Sequence, residues 1–178
     1  MTKNVKQALQ VLSELGFPRA QQNERSALCL LSLLGMTRDK TWAQASSPLM
    51  GITPIMDWVM LHYKKKYAPN TRETIRRQTM HQFVDAGLAV YNPDNPARPV
   101  NSPHAVYQID QTALSLLRTF GSTAWKANLK NYLADRPTLA EKNARRRVLK
   151  KIPVEIASGK KIKLSPGAHS ELIKAVIE

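Results

Sequence analysis

Residues 70–86 of the chain read NTRETIRRQTMHQFVDA. A proline precedes Asn70, and Glu73 lies three residues after it, which is the spacing of a capping box with Asn in place of the usual Ser or Thr. Thr71 is a competing N-cap. Apolar side chains then recur at helical spacing until Gly87, so the sequence predicts a helix that begins at residue 70 or 71 and ends before this glycine.

Other helical patterns lie on both sides of this stretch, and two strand patterns follow it directly. Apolar residues at spacings of three and four predict helices over about 5–15, 23–34, 54–65, 112–120 and 124–133. Residues 88–91 and 105–109 are strand-like, and the loop between them contains four prolines, which exclude a regular helix. Helices followed by a two-stranded wing are the order of a winged helix-turn-helix, so we predict a mainly α fold of this kind.

The polar face of the helix before the wing is the candidate DNA-reading surface. In a winged helix-turn-helix this helix enters the major groove, and Arg and Gln side chains read guanine and adenine edges bidentately. The candidates for base reading are Thr74, Arg77, Gln78 and His81. Arg76 falls near the apolar face, so it is expected at a phosphate or an internal carboxylate. The alternative is a solvated polar face whose charges serve solubility only.

The charge of the chain points to an anionic partner. Its 27 Lys and Arg exceed its 13 Asp and Glu, for a net charge of +14, and nucleic acid is the commonest anionic partner. Residues 64–77 carry +5 of this excess and residues 141–163 carry +7. The candidates for phosphate binding are Lys64, Lys65, Lys66, Arg72, Arg76, Arg98, Arg145, Arg146, Arg147, Lys150 and Lys151. The alternatives are a solvated linker helix for the second stretch and an ordinary surface loop around Arg98.

Several classes of protein are disfavoured by the sequence. Cys29, the single cysteine, lies in an apolar run and is predicted to be a buried small side chain in a protein of a reducing cytoplasm. No apolar run reaches the length of a membrane span, and the first residues do not form a signal peptide. None of the 13 acidic residues has a Lys two positions later, as a common metal-dependent nuclease motif requires. Zinc-ligand spacing and a Gly-rich phosphate loop are also absent, so neither a metal site nor a catalytic site is predicted within the chain.

Two sets of sequence blocks resemble the BsuBI/PstI family of restriction endonucleases. The blocks that resemble its N-terminal helix-turn-helix domain are residues 70–83, 92–94, 98–99 and 101–103. The blocks that resemble the opening of its nuclease domain are residues 152–154, 164–174 and 177–178. The resemblance therefore extends over essentially the whole chain in order.

This resemblance implies the recognition region of a type II restriction enzyme. It gives a winged-helix DNA-binding domain over 1–136, a basic linker helix over 137–151, and over 152–178 the start of an incomplete α/β PD-(D/E)xK nuclease domain that a β-hairpin opens. The family's catalytic motifs would lie beyond Glu178, which could itself match an accessory acidic residue or be a plain solvent-facing carboxylate. The expectation is a truncated chain that binds double-stranded DNA specifically without cutting it, from a parent enzyme that requires Mg²⁺.

Two other functions compete with this one. A stand-alone winged-helix transcriptional regulator would use the same basic helix, but it would end in a dimerisation helix or a ligand domain. A basic RNA-binding or ribosome-associated protein ranks last, because only 6% of the residues are aromatic and could stack on bases. The expected compartment is a bacterial or archaeal cytoplasm. A homodimer is a further expectation for the parent enzyme, since cutting both strands usually needs two active sites.

Overall fold

The computed structural model describes residues 1–99 and 102–134 with their side chains, and residues 152–155 and 161–164 as strands. Contacts divide the chain into two units, Met1–Leu139 and Ala140–Glu178. The linker helix predicted over 137–151 lies outside the described residues.

The first unit is mainly helical, as predicted. Its helices are α1 (Lys3–Glu14), α2 (Glu24–Leu33), α3 (Ile52–Tyr63), α4 (Thr71–Ile75), α5 (His81–Asp85), α6 (Gln111–Leu117) and α7 (Trp125–Ala134). Short 3-10 turns lie at Arg19–Gln21 and Trp42–Gln44. Residues Arg76–Met80, between α4 and α5, form a π-helical segment. The helix that the sequence predicts after residue 70 is therefore present, but its middle turn is wider than an α-helical turn.

A small antiparallel sheet completes the first unit. Its strands, in the order β1-β3-β2, are β1 (Met50–Gly51), β2 (Ala89–Tyr91) and β3 (Val106–Ile109). Tyr107 of β3 lies opposite Met50 of β1 and Tyr91 of β2. The two strands predicted after the helix over 71–85 are thus present, and β1 adds a third strand that the sequence did not predict.

The described part of the second unit is a two-stranded antiparallel hairpin. Its strands are β4 (Ile152–Glu155) and β5 (Lys161–Leu164), with Ile152 paired to Leu164 and Glu155 to Lys161. The hairpin predicted for this part of the chain is confirmed.

The first helices form the scaffold on which the basic part of the molecule rests. The buried side chains of α1 recur at spacings of three and four, as expected of an amphipathic helix. Asn23 caps α2, because its side-chain oxygen accepts a hydrogen bond from the backbone N–H of Ser26 at 3.0 Å. Every residue of α2 from Ser26 to Leu33 is buried, so this helix runs through the centre of the core.

The helix after residue 70 is anchored on this core by apolar side chains. Ile75, Met80 and Phe83 are fully buried, and the ring of Phe83 meets that of Phe17 edge-on, with centroids 5.5 Å apart. Gly87 follows with a φ of 70°, a left-handed conformation that ends the helix as predicted.

The predicted capping box at the start of this helix is wrong. Asn70 has helical backbone angles and, among the described residues, its side chain caps no backbone N–H. The Glu73 carboxylate instead turns along the helix toward two arginines. Two charged pairs at helical spacing have therefore replaced the neutral backbone contact that the capping pattern favours.

Candidate nucleic-acid interface

The basic helix, residues 71–85, presents a polar surface above its buried side. Arg77, Gln78 and His81, three of the four predicted base-reading residues, have exposed side chains, and the fourth, Thr74, is half-buried. The π-helical segment buries both Thr79 and Met80, consecutive residues that a regular α-helix would turn to different directions. The exposed face of the basic helix is therefore supported by an inner face that is buried without interruption at Thr79 and Met80.

Glu73 joins two arginines of the basic helix. Arg76 forms a bidentate pair with it, donating from Nη2 to Oε1 at 2.7 Å and from Nε to Oε2 at 2.9 Å. Arg77 donates from Nε to the same Oε1. Hydrogen bonds from the Arg76 and Arg77 guanidiniums lower the pKa of the Glu73 carboxyl to about 2. Arg76 thus pairs with a carboxylate of this chain, one of its two predicted partners, although Glu73 is exposed at the surface.

His81 belongs to the same group of polar side chains. Its Nε2 lies 3.5 Å from Nη1 of Arg76. Partial burial of the ring, followed by the positive charge of Arg76, lowers the pKa of His81 below its ordinary value. The ring is therefore mainly neutral at pH 7, so it offers one donor and one acceptor to a ligand rather than a charge.

Arg25 of α2 also reaches the basic helix, and the sequence did not single it out. Its Nε donates to Oγ1 of Thr79 at 3.2 Å, and its Nη2 donates to Oε1 of Gln78 at 3.3 Å. The sequence signal is weak, since Arg25 is simply the one cation in helix α2. The contact nevertheless fixes a predicted base-reading side chain from a second helix.

The three lysines that follow α3 lie at the approach to the basic helix. Lys64, Lys65 and Lys66 are exposed, and Lys64 takes a left-handed conformation with a φ of 60° as α3 ends. Lys65 pairs with Glu24 at 2.9 Å, with both side chains about half exposed. Such a pair contributes little to stability, so the lysine remains available to a stronger anionic ligand.

The loop between β2 and β3, described over residues 92–99 and 102–105 and called the wing loop here, is held by two polar side chains. Asn92 is buried with a φ of 48°, and its Oδ1 accepts hydrogen bonds from the backbone N–H of Val106 and from Nη1 of Arg98, both at 2.9 Å. Arg98 also forms a bidentate pair with Asp94, at 2.6 and 3.0 Å. The guanidinium of Arg98 therefore holds the wing loop together, and phosphate binding by this residue stays a prediction.

A cleft of about 470 Å³ separates the start of the basic helix from the end of the wing loop. Asn70, Arg72, Glu73 and Arg76 line one side of it, and Ser102, Pro103 and Ala105 line the other. Arg72 reaches across, with Nη2 3.5 Å from the carbonyl oxygen of Pro103. The cleft thus brings two predicted phosphate-binding arginines to one place.

The remaining predictions on individual residues divide between described and undescribed parts of the chain. Arg145, Arg146, Arg147, Lys150, Lys151 and Glu178 lie outside the described residues.

Within the described ranges, His, Cys, Asp and Glu nowhere gather in a group of three or more that could hold a metal ion. No helix in that same part of the chain is both long and apolar enough to cross a membrane. Cys29 is buried as predicted, and burial raises the pKa of its thiol to about 12.

Known proteins are similar to this chain in both sequence and fold. The family described as BsuBI/PstI restriction endonuclease HTH domain matches residues 2–141. The type II restriction enzyme BsuBI of Bacillus subtilis is 60% identical over 178 residues, which are 100% of this chain and 56% of that enzyme. The type II restriction enzyme AplI of Arthrospira platensis is 38% identical over 172 residues, 97% of this chain and 53% of that enzyme. The chain spans about half the length of the curated relatives it matches.

A solved structure gives the same result in three dimensions. The structure of the SdaI restriction endonuclease superposes with a TM-score of 0.74 at 32% identity. The match covers 99% of this chain and 55% of that one.

Proposed function

We propose a DNA-binding function, starting from the fact that this chain belongs to the BsuBI/PstI restriction endonuclease family. The resemblance drawn from the sequence blocks is thereby confirmed. DNA binding is implied by the family, and the described residues supply a surface suited to it. The proposal concerns how that surface engages the duplex and which residues read its sequence.

The observation that carries the proposal is the polar face of the basic helix, set beside a cleft with two arginines. We assign the basic helix to the major groove, as the reading helix of a winged helix-turn-helix. Arg77, Gln78 and His81 then face the base edges, with Thr74 beside them. Arg and Gln suit this role because each can form two hydrogen bonds to one base, which discriminates against a wrong base by roughly 1–3 kcal/mol.

The cations around the basic helix would position the protein on the phosphates. Lys64, Lys65 and Lys66 approach the basic helix from one end, and Arg72 and Arg76 line the cleft toward the wing loop. A backbone phosphate placed in this cleft would meet both guanidiniums while the wing loop follows the adjacent groove. Such contacts fix register and affinity, whereas base contacts decide sequence.

Cleavage is assigned to a longer protein that contains this chain. The described residues do not fit a Mg²⁺ site, since no three carboxylate, His or Cys side chains gather there. We therefore place Mg²⁺-dependent phosphodiester hydrolysis, the activity expected of a type II restriction enzyme, in residues outside the described part of the chain. A stand-alone transcriptional regulator is the second candidate, and it is less favoured because the relatives are restriction enzymes.

Binding to randomised duplexes tests the proposal. The chain should select one short sequence from the pool, and its affinity should fall with salt at a log–log slope of about −0.9 per neutralised phosphate. Arg77→Ala should relax the preference at one base pair by roughly 5- to 150-fold. Lys126→Ala removes one exposed cation from α7 and is the matched control. Equal effects of the two substitutions on every sequence, or a wild-type chain that binds no duplex, would contradict the proposal.

A further inference from the structure

The arrangement of Glu73 bears on how the interface distinguishes one sequence from another. One carboxylate oxygen, Oε1, accepts hydrogen bonds from both Arg76 and Arg77, and the second oxygen accepts from Arg76. The Glu73 side chain is about half exposed, and that of Arg77 is 68% exposed. The pair therefore lies on the surface assigned to DNA and not in the interior.

The same contacts restrain both guanidiniums before any DNA arrives. Arg77 is the most exposed of the three side chains, and a free arginine at this position would sample many orientations and bind any phosphate within reach. Its contact to Glu73 limits these orientations and offsets part of the positive charge. An exposed ion pair contributes little to stability. A correctly placed base or phosphate can therefore bind the N–H groups of Arg77 that the carboxylate does not hold.

We propose that Glu73 is a positioning residue that sets the sequence specificity of this DNA interface, by orienting Arg77 toward a base edge and by offsetting the charge of Arg76 and Arg77 on non-specific duplexes. This inference rests on the proposed function. Its physical basis is that a planar guanidinium presents five N–H donors, so it can keep one bond to a carboxylate and still present a pair of donors to guanine. Glu73 therefore acts through Arg77 and need not touch DNA itself.

The proposal separates into a charge effect and an orientation effect. Removal of the negative charge should strengthen binding to every duplex, because one more unit of positive charge faces the phosphates. Loss of the Arg77 contact should lower the ratio of specific to non-specific affinity without strengthening the binding to other duplexes. Glu73→Gln removes the charge and with it the charge-assisted hydrogen bond from Arg77. Glu73→Asp keeps the charge but shortens the side chain by one methylene, so that it reaches Arg77 less well.

The experiment measures the affinity for the selected duplex and for a scrambled duplex, both at two salt concentrations. Glu73→Gln should bind the scrambled duplex several-fold more tightly and lower the ratio of specific to non-specific affinity by about tenfold. Glu73→Asp should leave the scrambled affinity near that of the wild type and still lower the ratio. Asp57→Asn, which removes an exposed carboxylate from α3, is the charge-matched control and should leave the ratio unchanged.

The outcomes distinguish this inference from the proposed function. A wild-type chain that selects no sequence overturns the DNA-reading function itself. A wild-type chain that selects a sequence, together with Glu73 variants whose affinity ratio matches that of Asp57→Asn, overturns the role of Glu73 and leaves the function intact. Circular dichroism of each variant confirms folding, and a Glu73→Asp variant with the wild-type affinity ratio would overturn the orienting role of Glu73.

Discussion

Arg25 of α2 donates a hydrogen bond from Nε to the hydroxyl of Thr79 at 3.2 Å, and the two residues are 54 positions apart in the chain. Thr79 is fully buried inside the π-helical segment, so its hydroxyl needs a partner within the protein. The same guanidinium holds Gln78, an exposed residue of the proposed reading surface, with Nη2 3.3 Å from Oε1. The Arg25 side chain thus ties helix α2 to the basic helix at Thr79 and also orients the Gln78 side chain.

Substitution of Arg25 should therefore destabilise the protein. Arg25→Ala leaves the buried hydroxyl without this charged donor, which should lower the free energy of unfolding by about 1–3 kcal/mol in urea denaturation. In a double-mutant cycle with Thr79→Val, we expect a coupling energy of at least about 0.5 kcal/mol. Arg19→Ala, at an exposed arginine of the first 3-10 turn, should change stability by less than about 0.5 kcal/mol. Additive effects of Arg25→Ala and Thr79→Val would show that the contact is not formed in solution.

The sequence predicted the outer surface of the basic helix but not its internal contacts. Exposure of Arg77, Gln78 and His81 follows from helical periodicity, which is a local property. The π-helical turn and the contact from Arg25 depend on residues far apart in the chain, and no local pattern encodes them. β1 was missed for a related reason, because a strand of two residues has no periodicity.

Glu73 illustrates a different failure, in which two local signals compete. Its spacing from Asn70 fits a capping box, and its spacing of three and four residues from Arg76 and Arg77 fits helical ion pairs. The structure takes the second option, in which two charged donors replace one neutral backbone donor. Charge-assisted hydrogen bonds are the stronger kind, which is the physical reason for this outcome.

The wing loop should depend on Asn92 more than on the other asparagines within it. Asn92→Gly keeps the left-handed backbone but removes the acceptor shared by Val106 and Arg98, so we expect a loss of about 1–3 kcal/mol in the free energy of unfolding. Asn92→Ala should cost roughly 1 kcal/mol more, because a Cβ without a local hydrogen bond disfavours this conformation. The exposed Asn95→Ala is the control. Wild-type urea midpoints for both Asn92 variants would contradict this role.

The carboxyl of Glu73 should titrate far below an ordinary glutamate. Hydrogen bonds from Arg76 and Arg77 lower its pKa to about 2, against about 4.3 in an unfolded chain. Because the folded pKa is the lower one, the pairing stabilises the protein fully above the unfolded pKa, and this stabilisation is lost as the pH falls through about 2. Carbon-13 NMR titration of the side-chain carboxyl measures the midpoint. It should rise in Arg76→Ala and Arg77→Ala and stay unchanged in Arg72→Ala, while a wild-type midpoint near 4 would rule out the paired geometry.

The labelling rate of Cys29, the single cysteine, measures how often the core opens. Cys29 is fully buried in α2, and burial raises its thiol pKa to about 12, so a disulfide reagent at pH 8 meets a protonated and inaccessible group. Labelling of the native chain should therefore be slow and should follow the population of unfolded molecules. Phe83→Ala, which empties a fully buried site beneath the basic helix, should destabilise the protein by about 3–5 kcal/mol and speed labelling by two to four orders of magnitude. Val90→Ala, at a half-exposed position of β2, should leave the labelling rate within a few-fold of the wild type. If Cys29 of the native wild-type chain reacted within the mixing time, α2 would not be the closed centre of the core on which the basic helix rests.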